Sequence, residues 1–317
     1  ERNGSTEEIW THAKFENGST DLILPDRAIR NDDRYPSMNW LVNPKLRTHL
    51  GGPSQFLLYQ LYLTAGFDMD LLPGLSTTGR LRRNLYNNFG KIEFGSSSVL
   101  PHVRTDIKEY LQETRDFSIA RVQADYIFKP VQDWYGRVSA GIFEEMFGGF
   151  SAEVLHRPFK SRFAVGVDFN KVWKRGFEQR FKFQDYQVKT GHLNLYYEFP
   201  WKNISASAHI GQYLAGDRGI TFMGSREFDG GVKFGLWTTF TNVSAEDFGE
   251  GSFDKGFYMR IPFDLFLTKS TTQKGTFAFR PITRDGGARL GMQSRLHGIA
   301  TSANVNKLIH HWDKFLD

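Results

Sequence analysis

From about residue 38 onward, apolar and polar side chains alternate along the chain with a period of two. That period puts successive side chains on opposite faces of a strand. Between Trp134 and Ile142 one face takes Trp134, Gly136, Val138, Ala140 and Ile142, and the other takes Tyr135, Arg137, Ser139 and Gly141. Phe163, Val165, Val167 and Phe169 oppose Arg162, Gly166, Asp168 and Asn170. Leu193, Leu195, Tyr197 and Phe199 oppose His192, Asn194, Tyr196 and Glu198. The same reading holds for Ile204 to Ile210, Val232 to Thr239 and Phe257 to Asp264. Helical spacing is nearly absent until the tail. There Val305, Leu308, Ile309, Trp312, Phe315 and Leu316 fit a short amphipathic helix suited to a membrane surface.

The connections alternate in length as well. Residues 72–76, 129–133, 157–161, 200–203 and 228–230 read as short turns, and 90–116, 173–185 and 242–254 as longer links. Residues 214–218 and 282–288 fall on the long-link side but are themselves short. Short turns at one rim and longer loops at the other mark an outer-membrane barrel. The expected fold is therefore all-β: an antiparallel transmembrane β-barrel of roughly 12–14 strands with a polar lumen. It occupies residues 38–298, after a polar linker or lumen segment at 1–37 and before an amphipathic tail at 299–317. A soluble β-sandwich or lipocalin-like barrel would alternate too. Trp134, Tyr197, Phe199, Trp201, Trp237, Phe263 and Phe266, near segment ends, favour the membrane as interfacial girdles.

Composition sharpens this picture. The 317 residues are 15% aromatic, with 29 Phe and 31 Gly, more than an ordinary soluble α/β enzyme carries. Mean hydropathy is −0.44, and no run reaches the roughly 18 apolar residues of a spanning helix. A barrel keeps its mean hydropathy low because only every second residue meets lipid. The absence of cysteine excludes a disulfide framework, a zinc–thiolate site and a cysteine nucleophile. The net charge of +5 is spread too evenly to indicate nucleic acid. No secretion signal precedes Glu1, so the numbering is expected to begin at a mature terminus or inside a longer precursor.

Several stretches, taken in order, carry a family resemblance. They are Gly51-Gly52-Pro53 with Leu58-Tyr59-Gln60-Leu61-Tyr62, then Arg104-Thr105-Asp106-Ile107-Lys108-Glu109-Tyr110-Leu111, then Asp185-Tyr186 with Thr190-Gly191-His192. Tyr213-Leu214-Ala215-Gly216-Asp217-Arg218-Gly219 follows, then the long run from Thr241 to Gly256, then Arg280-Pro281-Ile282-Thr283-Arg284-Asp285-Gly286-Gly287-Ala288-Arg289-Leu290. Together they resemble the YjbH/GfcD family of exopolysaccharide and capsule biosynthesis proteins. The resemblance implies a bacterial outer-membrane barrel matching the carboxyl-terminal half of members about twice as long. It implies exopolysaccharide or capsular polysaccharide, outer-membrane lipid, periplasmic or lipoprotein partners and the amino-terminal half of a precursor as partners. The family usually carries a lipoprotein-type amino terminus with a lipidated Cys; this sequence contains no Cys, so the resemblance implies no lipidation within it. The implied role is polymer export or assembly. A barrel enzyme acting on polysaccharide or lipid A and a closed-lumen scaffold stay open beside it.

The inward set is mixed in sign: Arg121, Asp125, Arg137, Glu145, Glu153, Arg157, Arg162, Asp168, His192, Glu198, Lys233, Arg260 and Asp264. Charge on a lipid face costs roughly 2–4 kcal/mol for Arg or Lys at the midplane, so these belong to the lumen. They either contact polymer or pair across the wall and close it. Arg104, Asp106 and Glu109 lie in one or two helical turns that gate the lumen or pack over it. Asp217 and Arg218 sit in a glycine-bearing link and are expected to fold inward. Glu246, Asp247, Glu250 and Asp254 cluster in a rim loop but do not match a calcium-loop frame. On a strand, Glu144 and Glu145 would face opposite ways, leaving Glu145 to meet Glu153 in the lumen. Ser207, His192 and Asp168 can be drawn as a Ser-His-Asp set, yet no nucleophile elbow, P-loop or dinucleotide fingerprint accompanies them. No cofactor or metal is expected.

Overall fold

A computed structural model describes residues 35–50, 57–89, 98–113, 116–158, 161–248, 253–267, 271, 274–280 and 285–302. The expected linker up to residue 34, Gly51-Gly52-Pro53, Glu250 and the helical tail beyond Ser302 lie outside the described residues.

The described strands form one 13-stranded sheet in which every neighbour in space is a neighbour in sequence. In order they are β1 (Ser37–Leu50), β2 (Leu57–Leu72), β3 (Leu75–Asn87), β4 (Phe117–Val131), β5 (Trp134–Ile142), β6 (Phe147–His156), β7 (Phe163–Arg175), β8 (Phe183–Glu198), β9 (Ile204–Gln212), β10 (Arg218–Glu227), β11 (Lys233–Thr241), β12 (Asp254–Pro262) and β13 (Lys274–Phe279). Each pair is antiparallel. Among the described residues three short α-helices accompany the sheet: α1 (Ile107–Glu113), α2 (Ala245–Phe248) and α3 (Leu296–Ser302). No described helix is long and apolar enough to cross a membrane. The ladder runs from β1 to β13, and among the described residues no pairing joins its two ends.

Register decides which face is buried. Val154, Val167, Leu193 and Ile210 stand side by side on successive strands, and all are 41–52% exposed. One residue away along each strand, Arg137, Glu153, Asp168 and His192 form the opposite row, each at most 5% exposed. A soluble sandwich would bury the apolar row in a shared core. This sheet is the inverse: its polar face is enclosed and its apolar face is bare. Val165, Leu195, Phe234 and Met259 also lie on the bare face, outside the buried core.

The enclosed face is filled by the chain itself. Residues 98–113, including α1, sit at the end carrying the longer links, over an apolar cluster of Val103, Tyr110, Phe143, Phe147, Val172 and Leu290. After Phe279 the chain adds no further strand in the described residues. The strands thus stop short of the expected limit at 298. Residues 285–302 instead return along the polar face from the loop end to the turn end. There α3 seats Leu296 against Leu155, Ala164 and Tyr196.

Two girdle and lumen assignments need correction. Trp237 faces inward, donating its indole N–H to Asp254 at 3.1 Å, because it shares parity with Lys233 and Thr239. Asp264 lies in an exposed 3₁₀ turn, Phe263–Leu265, where it accepts the Thr271 N–H at 2.7 Å. The strand ends at Pro262, before the alternation reaches Asp264.

The two-residue turn between β2 and β3 requires glycine. Gly74 has φ of +80°, and a Cβ there would stand 2.2 Å from the Ile127 carbonyl oxygen. Gly216 has φ of +86° with open space around it. Replacing Gly216 with Ala is expected to cost about 1 kcal/mol of backbone strain. Gly74→Ala should cost clearly more, because backbone must shift as well. Urea unfolding followed by tryptophan fluorescence checks the order.

Candidate functional site

The polar face is organised around carboxylates that each serve several donors. Arg137 binds Glu153 at 2.9 Å and also donates to Ser139 and Ser151 at 2.8 and 3.2 Å. Ser139 donates to Asp125 at 2.5 Å, and Gln123 donates to the same carboxylate at 2.6 Å. Asp168 is the most connected acid. It accepts from Asn170 and Asn194, both at 2.9 Å, and contacts His192 Nδ1 at 3.2 Å. Arg289 and Arg295, from the returning segment, reach it at 3.4 and 3.5 Å. A buried charge needs this density of partners, since an unpaired one costs several kcal/mol.

The same logic ties the inner segments together. One oxygen of Asp285 accepts the backbone N–H groups of Val103, Arg104 and Thr105 at 2.7–3.0 Å, and the other accepts the Thr105 hydroxyl at 2.7 Å. Arg104 grips Glu144 with both guanidinium nitrogens, at 2.7 and 3.1 Å, and donates to the Arg289 carbonyl at 2.8 Å. Glu144 also accepts the Gly291 N–H at 2.9 Å. Asp106 binds Lys174 and, at 2.8 Å, His102. Burial pushes the His102 imidazole down, but its contacts with Asp106 and the Ser98 carbonyl raise it overall above its ordinary value. Asp217 folds inward as expected, accepting the Gly287 N–H at 2.8 Å, and burial raises its carboxyl. The next residue, Arg218, stays exposed and pairs outward with Gln212 at 3.2 Å.

Glu144 and Glu145 lie in the connection between β5 and β6 rather than on a strand, so strand parity does not apply to them. Glu145 is therefore not a neighbour of Glu153. It receives Arg47 from β1 and Arg82 from β3. Burial pushes its carboxyl up, but the two guanidiniums outweigh this and hold it down at about 2. The Ser-His-Asp set is not assembled either. Ser207 contacts His209 at 3.1 Å, and Asn194 stands between His209 and Asp168. Tyr213 packs edge-on to His192, with centroids 5.1 Å apart.

The rim acids have separate fates. Glu246 and Asp247 are exposed on α2, where Ser244 caps the helix by accepting the Asp247 N–H at 3.0 Å. Asp254 is buried at the start of β12, paired with Arg280 at 3.1 Å. Glu109 is partly buried on α1. Arg121 meets Gln293 of the returning segment at 2.8 Å. Arg157 binds Glu198 at 2.7 Å and contacts His297 at 3.2 Å. Among the described residues no three His, Asp or Glu side chains converge as a metal site.

One pocket of about 350 Å³ is left between β8–β12 and the returning segment. Tyr196, Glu198, Ser207, Lys233, Arg260 and Arg295 are among its walls. Three of the expected lumen residues, Glu198, Lys233 and Arg260, therefore meet in one place. Arg289, Arg295 and His297, which complete it, were missed because their stretch carries no strand alternation. The double glycine Gly286-Gly287, with φ of +71° at Gly287, was the available sign of a sharp return.

The profile of the YjbH family, described as exopolysaccharide biosynthesis protein YbjH, matches residues 7–302. The chain belongs to the YjbH family. It is also 41% identical, over 272 residues, to a protein of Escherichia coli strain K12 named uncharacterized lipoprotein YjbH. That alignment covers 84% of this chain but 39% of the relative, so the chain spans about two fifths of that protein's length. For this YjbH-family chain, the matched region contains the whole described sheet together with the returning segment.

Glu145 sets an acid limit. Its folded pKa of about 2 lies below the ordinary 4.5, so its stabilisation is complete above pH 4.5 and fades as pH falls towards 2. The difference in unfolding free energy between wild type and Glu145→Gln should be roughly constant above pH 4.5 and shrink by up to about 3 kcal/mol below it. Denaturant titrations from pH 7 to pH 2 measure this.

Proposed function

We propose that this chain forms an outer-membrane β-barrel that handles exopolysaccharide at that membrane, in export or assembly. The observation that carries the reading is the inverted sheet: a bare apolar face around an enclosed charged one, the arrangement lipid requires. Many exposed aromatics support it by standing at two levels, with Phe169, Phe222 and Phe277 on the bare face between them. Trp134, Phe163, Tyr197, Trp201, Phe228 and Phe266 stand near the turn ends, and Tyr86, Phe117, Phe150, Phe183 and Phe240 near the loop ends. Lys171, at the loop end of the bare face, lies 5.0 Å from the Trp173 ring, as a cation reaching towards head groups would. Family membership supports the exopolysaccharide role, and the relative's name as a lipoprotein agrees with the cell envelope. In this reading the short turns face the periplasm. With thirteen strands β1 and β13 run in the same direction, so closure is either parallel or completed by a further strand.

Within this reading, residues 285–302 act as an internal stopper that moves when polymer passes. The closed-lumen scaffold is the second reading, favoured by how fully Asp285, Glu144 and Asp168 tie that segment down.

Two experiments test these readings. Val167→Arg places a charge mid-face towards lipid, at a cost of roughly 2–4 kcal/mol, and should deplete the heat-modifiable form from outer membranes. Ser207→Arg, facing the pocket, should leave it intact. Equal loss from both removes the membrane assignment. The chain has no cysteine, so an engineered pair at Leu214 and Ala288, joined by a backbone hydrogen bond of 2.9 Å, would lock the stopper cleanly. Locked, inserted protein should lower exopolysaccharide output, with recovery on reduction. Unchanged output favours the scaffold.

A further inference from the structure

We infer that the loop end of the bare face holds the phosphomonoester of a lipid head group, with Lys171 and Lys189 as its main contacts and Arg218 beside them. The inference rests on the membrane reading above and names the head-group chemistry that reading leaves open. It comes from the register of three exposed cations. Lys171 on β7 stands directly opposite Lys189 on β8, and both are exposed on the bare face. On β9, Gln212 donates its side-chain amide to the Lys189 carbonyl at 2.9 Å and accepts from the exposed Arg218 guanidinium of β10 at 3.2 Å. The three cations thus form one row across four strands. Among the described residues none of the three is ion-paired. Their register neighbours are uncharged: Phe150 opposite Lys171 on β6, Gln187 and Gly191 diagonal to it on β8, Phe169 and Trp173 diagonal to Lys189. The acids in this region are placed elsewhere. Glu178 pairs with Lys182 at 4.0 Å. Asp185 lies four residues from Lys189 along β8, about 13 Å of extended chain. Asp217 folds inward to Gly287. Glu246 and Asp247 sit on α2 beyond the end of β11, where Asp247 accepts from the Ser244 hydroxyl at 2.8 Å. Like charges directly opposite on adjacent strands repel, and an anion between them relieves the repulsion.

The surroundings suit an amphiphile better than a free ion. Towards the turns the same face becomes apolar at once, with Phe169, Leu193, Ile210 and Phe222 exposed by 41–55%. Acyl chains can lie there while the phosphate meets the cation row. Opposite Phe169, Gly191 presents no side chain, which leaves room beneath the two lysines. The Lys171 ammonium stands 5.0 Å from the Trp173 ring, and Trp173 is set edge-on to Phe150 with centroids 6.3 Å apart. An indole and a long cationic side chain both settle where hydrocarbon gives way to head groups. Charge chooses among those head groups. A phosphomonoester carries about −1.5 to −2 at neutral pH, whereas a phosphodiester carries about −1. Three cations with no acid among their register neighbours match the former. At the turn end, by contrast, Arg226 has apolar register neighbours, Ile204 and Phe234, and lies 4.6 Å over the Phe228 ring.

The test uses the full chain, folded in dodecyl maltoside and shown to be heat-modifiable, with EDTA present so that no divalent cation bridges phosphates. Native mass spectrometry counts the lipid retained on titration with lipid A, phosphatidic acid, phosphatidylglycerol and phosphatidylcholine. Lipid A and phosphatidic acid carry phosphomonoesters and should be retained at one per chain. Retention of one of these two alone supports the inference and assigns the site to a glycolipid or to a phospholipid. Phosphatidylglycerol should bind at least tenfold more weakly, and phosphatidylcholine should not be retained. Lys171→Ala combined with Lys189→Ala should weaken retention at least tenfold, and Arg218→Ala less. Lys171→Arg combined with Lys189→Arg should preserve it, and Arg226→Ala should leave it unchanged. Inorganic phosphate at equal concentration should not displace the lipid. The inference is overturned by retention of neither monoester lipid, equal retention of phosphatidylglycerol, full displacement by phosphate, or insensitivity to the double alanine substitution. Because folding is established first, such a failure removes the head-group assignment and leaves the barrel reading to its own test at Val167.

Discussion

The interior of this protein is governed by one requirement: each carboxylate removed from water must find enough donors. Asp168 shows it most fully. It lies next to Glu153 in the β6–β7 register, so two acids face one another across adjacent strands. The repulsion is relieved from both sides. Arg137 takes Glu153 from β5, and Arg289 and Arg295 approach Asp168 from the returning segment. Neither strand supplies those last two cations itself, because the neighbouring inward positions are Ser151 and Leu155 on β6 and Gly166 and Asn170 on β7. The sheet thus depends on a segment far along the chain to neutralise its centre. Leu296 repeats the pattern by donating its N–H to Glu153 at 3.2 Å where α3 begins.

This explains which features could be read from the sequence. Strand parity is a local property, so the alternation around Val138, Val167 and Leu193 assigned both faces of those strands directly. It also placed Arg137, Asp168, His192 and Glu198 on the enclosed side. The method breaks down where a strand ends. Glu145 and Asp264 follow the strand ends by three and two residues, but the chain has already turned. Trp237 was misassigned because an aromatic near a strand end suggests an interface, whereas parity alone puts it inside. The returning segment was illegible for a deeper reason. Its residues pair with partners over a hundred positions away, such as Glu144 with Gly291 and Asp168 with Arg295, and no local period encodes that.

The two ends of the polar face are stabilised differently. At the loop end, inward positions turn apolar, and Phe143, Phe147, Val172 and Leu214 make a dry seat for α1. Arg175 is buried there and donates to the carbonyls of Glu144, Glu145 and Arg180 at 2.9–3.0 Å. At the turn end the seat is smaller, consisting of Leu155, Ala164, Tyr196 and Leu296. Several inward positions of β9–β12 beside it are small instead. Ser205, Ser207 and Ser225 cannot reach across to the returning segment, and that shortage of bulk leaves the pocket.

That asymmetry has a directional consequence. A dry apolar contact excludes water and resists opening in proportion to the area it hides. A contact made by guanidiniums around a shared carboxylate at 3.4–3.5 Å hides less apolar area, but an anion entering there must itself be desolvated and must leave Asp168 enough donors. At the loop end, displacement would break Asp285's four hydrogen bonds and uncover the apolar cluster together. At the turn end it would trade the long contacts of Arg289 and Arg295 with Asp168, break the Leu296 N–H bond to Glu153 and uncover the smaller seat of Leu296. Opening of the returning segment therefore starts at the turn end, and the loop-end anchor is the last to yield. The space for such an opening lies beside β8–β12, where the pocket already separates the strands from the returning segment.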